Sequence, residues 1–204
     1  MSELELHKAL GDIGSIRRQM AHTTQFRGYG PATLAATGII AIAAATVQSL
    51  WLHEPRQRPY AYLAVWFVAA ILSAALTGAQ MYARARRIHS GLSSEMLQMA
   101  VEQFLPSAGA GALLTLVFAR HIPAAFYMLP GLWQVVFSLG IFSSCRFLPR
   151  PMMAAGAWYL LTGLLWISFA NDRALNPWTM GLSFGVGQLL IAGILWVAAP
   201  EGAE

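Results

Sequence analysis

Apolar residues in this chain do not alternate with polar ones; they run. No charged residue occurs between Pro31 and Trp51, Tyr60 and Ala83, Ser107 and Ala119, Ile122 and Cys145, Met152 and Ala170, or Ala174 and Pro200. Roughly 20 such residues suffice for an α-helix to cross the hydrocarbon of a bilayer. The runs predict six spans, at residues 32–52, 60–83, 106–120, 124–147, 152–170 and 177–199. The third uncharged run has only 13 residues, so its helix is either short or extends backward through Phe104. Pro130 is expected to kink the first half of the fourth span.

Two stretches have a different pattern. Leu6, Leu10, Ile13, Ile16 and Met20 recur at helical spacing and predict an amphipathic helix over residues 2–25. Ser2 and Glu5 have the spacing of a capping box. Gly11 and Gly14 each cost about 1 kcal/mol relative to alanine, so this helix needs a surface to lie on. Leu92, Met96, Met99 and Gln103 mark a second amphipathic segment over 92–105. The expected organisation is an N-terminal helix and turn over 1–31, followed by a six-span bundle over 32–204. The class is all-α, polytopic and membrane-embedded.

Each odd span opens on proline followed by small residues, at Pro31, Pro106 and Pro151. Proline in a first turn loses no hydrogen bond, and small residues let helices approach closely. The repetition fits three helical hairpins in parallel orientation; it also fits simple punctuation at membrane entry.

Composition sharpens this picture. Of 204 residues, 57% are hydrophobic and 11% charged, against about 25% charged in soluble domains. Much of the surface must therefore face lipid. Nine of the lysines and arginines fall on one side of the predicted topology: Lys8, Arg17, Arg18, Arg27, Arg84, Arg86, Arg87, Arg146 and Arg150. The other side has four: Arg56, Arg58, Arg120 and Arg173. The positive-inside rule then places both termini in the cytoplasm. Charges throughout Met1–Arg27 leave no apolar core for a cleavable signal. In architecture alone the chain resembles small six-span proteins of the bacterial inner membrane. A net charge of +4 is explained by basic loops beside lipid, and it does not require nucleic acid. Arg84, Arg86 and Arg87 fit that explanation, or contact with anionic headgroups. The lone Cys145 excludes an internal disulfide and a multi-cysteine metal site.

Candidate chemistry is sparse. Gly131-x-x-Gln134 and Gly185-x-x-Gln188 place one amide in each of two spans. Counted from Arg146 and Glu201, both lie roughly 18–20 Å from the charged helix ends, at matched depth. An amide there must face other helices. It serves as a ligand contact or as an interhelical hydrogen bond. Trp133, Tyr127 and Trp158, with Phe126, Phe137 and Tyr159 nearby, either line a cavity for a small apolar or neutral molecule or simply pack. Trp51, Tyr60, Tyr62, Trp178 and Trp196 lie near span ends and read as interfacial anchors.

Absences narrow the function classes. No Asp, Glu, Lys or His occupies the middle of a span, where proton-coupled carriers place titratable groups. No phosphate-cradling loop, His-Glu-x-x-His or Gly-x-Ser-x-Gly occurs. An intramembrane hydrolase or ATP-driven pump is disfavoured, and no cofactor or metal is expected. The leading expectation is a membrane-embedded binding or transport module for a small apolar or neutral molecule, with Gln134, Gln188, Trp133, Tyr127 and Trp158 lining its site. The alternative is a membrane-anchored regulator whose N-terminal helix docks a cytoplasmic protein. An enzyme acting on lipid ranks third. Lipid is the expected surrounding partner, and self-association is compatible with the sequence.

Overall fold

A computed structural model describes residues 30–52, 55, 57–87, 91–145, 148–169 and 172–198. The expected amphipathic helix over 2–25 lies outside the described residues. Among those described, all regular structure is helical. Six α-helices follow in order: α1 (Pro31–Trp51), α2 (Pro59–Arg87), α3 (Gly91–His121), α4 (Leu129–Ser144), α5 (Met152–Ser168) and α6 (Pro177–Val197). Short 3-10 turns at Pro123–Met128 and Asp172–Leu175 precede α4 and α6.

Four segments are long and apolar enough to cross a membrane: Pro31–Trp51, Pro59–Ala83, Pro123–Ser144 and Pro177–Val197. They give the chain the character of an integral membrane protein. Helix α5 is apolar but shorter. The outside of the bundle is also apolar, with Ile39, Ile71, Leu105, Leu161 and Leu182 all exposed. A helix hydrophobic on every side belongs in lipid or in a large core.

Proline and its neighbours set the helix boundaries. Pro31 opens α1, Pro59 opens α2 and Pro177 opens α6. Asn176 caps α6 by accepting a 2.9 Å hydrogen bond from the Trp178 N–H. The N-cap of α1 is Gly30, whose N–H donates to Gln80 Oε1 of α2 at 3.2 Å. Two sequence expectations change here. Pro130 lies in the first turn of α4 and begins the helix instead of kinking it, because a first-turn proline has no intrahelical bond to lose. The break in this span falls earlier, at Ala125, whose φ of −101° and ψ of 15° are non-helical. Pro106 does not open a helix either. It sits inside α3, which continues from the segment read as separate over 92–105. Proline openings thus mark both odd and even helices, and they are no signature of a hairpin repeat.

The most extensive helix contacts are α1 with α6 and α4 with α5. They connect different members of the expected hairpins. Both pairs are antiparallel and both depend on glycine. Gly38 of α1 faces Gly185 of α6, while Ala41 and Ala45 face Gly181. Between α4 and α5, a Cβ on Gly131 would lie 2.7 Å from the Gly163 carbonyl oxygen, and one on Gly163 would lie 2.8 Å from the Gly131 oxygen. Backbone meets backbone there, the close approach that small residues permit between helices in lipid.

The core has two layers. One gathers Ala41, Ala45, Leu52, Tyr62, Leu63, Trp66, Phe126, Leu129, Leu175 and Met180. It lies toward the α1–α2, α3–α4 and α5–α6 connections, and we call this the loop end. The other gathers Leu34, Ile141, Met152, Ala155, Tyr159, Ile191 and Leu195 toward the opposite end. Phe184 packs against both layers. It forms an aromatic triangle with Phe137, at 5.4 Å between ring centroids, and Tyr159, at 5.1 Å.

Candidate functional site

The heptad-like stripe Ala41, Ala45, Gln48 and Leu52 lies on one face of α1, which turns toward α2 and α6. Three of its members are small or aliphatic, while Gln48 is an amide with no solvent exposure. In the same layer, Tyr62 and Trp66 stand one turn apart on α2 and are likewise buried. Tyr62 is therefore no interfacial anchor. Tyr60, two residues earlier, points the other way, is 64% exposed and suits that role. Side chains two apart on a helix lie on different faces, and position near a span end did not reveal which tyrosine turned inward.

Gln134 enters the same layer from α4. It is fully buried, and its Nε2 donates to the Thr179 carbonyl at 3.4 Å and to Met180 Sδ at 3.9 Å. Helices α4 and α6 run in the same direction here, since Gln134 meets Thr179 while Phe137 meets Phe184. Gln188 lies eight residues beyond Met180 on α6. The two amides are therefore about 12 Å apart in depth, and the expected matching of depth does not hold.

The two Gly-x-x-Gln motifs do share a local logic. Gly131 admits the backbone of α5, and Gly185 admits Ile42 of α1. In each case the room beside the amide is taken by a neighbouring helix. Gln188 is half-buried, its Cβ is against Gly38, and its amide faces the Tyr159 hydroxyl in the other layer. The Tyr159 ring itself covers Gly187.

The five residues singled out from the sequence thus divide. Gln134, Trp133 and Tyr127 belong to the loop-end layer, and Trp158 and Gln188 to the other. The tryptophans have defined polar partners. Trp133 Nε1 donates to Thr115 Oγ1 of α3 at 2.8 Å, and Trp158 Nε1 donates to the Ser183 carbonyl of α6 at 2.9 Å. An indole has one donor and no acceptor, so each of these rings can offer a ligand only its apolar surface.

What distinguishes the loop-end layer is its unmet polarity. Gln48 Nε2 and Oε1, Tyr62 Oη, Trp66 Nε1 and Gln134 Oε1 are buried without a hydrogen-bond partner. The Trp66 indole faces the Tyr62 hydroxyl without closing a hydrogen bond of good geometry. Sequence reading missed Gln48, Tyr62 and Trp66. The available signal was the spacing: Gln48 falls in the buried stripe of α1, and Tyr62 and Trp66 share a face with Ala69 on α2. Among the described residues every buried polar side chain is uncharged, and no three metal-ligating side chains come together.

Comparison with protein-family models, with curated proteins and with solved structures finds no match.

Proposed function

We propose that the chain is a six-span integral membrane protein of a bacterial-type inner membrane, with cytoplasmic termini, that binds or transports a small neutral molecule within its helical bundle. The observation that supports this reading is Gln134. Its amide is enclosed at the heart of a helix bundle, one end is bound weakly to α6, and its Oε1 has no partner. An unpaired polar atom inside lipid costs several kcal/mol. Such a group is retained at that cost when it has something to bind. The neutrality of the ligand follows from its surroundings: a charged molecule would require an opposite charge to offset its desolvation, and the buried polar groups described are all uncharged.

The test is native mass spectrometry of the full chain released from lipid nanodiscs. A bound species of a few hundred daltons or less, reduced by Gln134→Leu, is the expected result. Bare protein, or a ligand retained unchanged by Gln134→Leu, would count against the reading.

A further inference from the structure

We infer that the binding site lies between α1, α2 and α4 in the loop-end layer, built by Gln48, Tyr62, Trp66 and Gln134, and that it takes a small uncharged molecule presenting hydrogen-bond donors and acceptors together, as a carboxamide does. The inference rests on the binding reading above and gives it a place and a chemistry.

Six buried side-chain polar atoms lack partners among the described residues, and five of them belong to these four residues. Folded proteins satisfy the large majority of such atoms. Their concentration in one layer is where a ligand would meet the most unsatisfied polarity. All four side chains are at least nine-tenths buried. Tyr62, Trp66 and Met180 belong to one contiguous cluster with Ala45 and Leu52, which flank Gln48 in the α1 stripe, and Gln134 touches Met180.

The atom types define what fits. Trp66 Nε1 only donates, Gln134 Oε1 only accepts, the Gln48 amide does both, and the Tyr62 hydroxyl does either. A molecule with acceptors alone leaves Gln134 and the Gln48 oxygen unmet; one with donors alone leaves Trp66 unmet. A carboxamide answers both, and it pairs with another amide through two antiparallel hydrogen bonds. A carboxylate of the same shape brings an uncompensated charge into this layer and is rejected.

The experiment uses the full chain in nanodiscs, with acetamide as probe and acetate as its charged isostere. Acetamide is expected to raise the unfolding midpoint of the native protein by roughly 3–6 °C per tenfold increase above its Kd, and acetate to leave it unchanged. The double variant Gln48→Met/Trp66→Phe should lose the response and, without probe, unfold at a higher temperature than the native protein. Tyr62→Phe, which removes one oxygen, should weaken the response in a fully folded protein. An undiminished response in both variants places the probe elsewhere and overturns the site. A double variant less stable than the native chain identifies a structural network and also overturns it. Native mass spectrometry on the same samples separates this failure from that of the binding reading. A co-purified molecule retained by the double variant leaves binding standing and sinks this placement. Bare native protein with no acetamide response sinks both.

Discussion

Replacing Gly131 by alanine probes the crossing that positions α4. Its Cβ would lie 2.7 Å from the Gly163 oxygen and 2.7 Å from Ile167 Cγ1, against 3.4 Å for ordinary van der Waals contact. Moving from 2.7 to 3.4 Å requires α4 and α5 to separate by about 0.7 Å. A gap of 0.5–1 Å forfeits roughly a quarter to a half of the dispersion attraction across the contact, and overpacking of this kind costs about 1–3 kcal/mol. The gain in helix propensity returns at most about 1 kcal/mol. Gly131→Ala should therefore destabilise the protein by about 1–2 kcal/mol. Gly163→Ala should do the same, and the double variant should cost less than the sum, because one separation relieves both contacts. Gly78→Ala is the control, since its Cβ meets nothing within 4 Å. Equilibrium unfolding in mixed detergent micelles gives the comparison. If Gly131→Ala is as stable as Gly78→Ala, the glycines do not hold the two helices together and the packing account fails.

Three further outcomes are expected. Reporter fusions after Glu204 and within the 56–58 loop should report opposite sides of the membrane; the same side from both would refute the six-span topology. Trp133→Phe should lower stability by about 0.5–1.5 kcal/mol by removing the bond to Thr115, while leaving ligand retention in native mass spectrometry intact. Changing Leu10 and Ile13 to aspartate should speed proteolysis near Arg17 and Arg18; equal speed in the native chain would show that this segment is not docked on a surface.

Much of the helical frame was legible because absence of charge is a one-dimensional signal. The uncharged runs gave six helices with ends within a few residues of those observed, apart from the third, where Pro106 hid continuity with the preceding segment. Gln134 stood out for a related reason: an amide deep in an apolar run must turn inward. Gln48 escaped because it is only three residues from Trp51, where an amide is ordinary, and its burial depends on neighbouring helices that chain order does not reveal. Tyr62 escaped likewise, since depth along the chain does not say which way a ring points. The association of α1 with α6 was also hidden. It depends on Gly38, Gly181 and Gly185 meeting across the bundle, and no periodicity within either helix names its partner.

The most direct measurement of the central claim is a high-resolution experimental structure of the full chain in lipid nanodiscs. The account predicts non-protein density within hydrogen-bond distance of Gln48, Trp66 and Gln134, reduced by Gln48→Met/Trp66→Phe. Side-chain amides paired with protein groups, and a loop-end layer closed by protein alone, would contradict it.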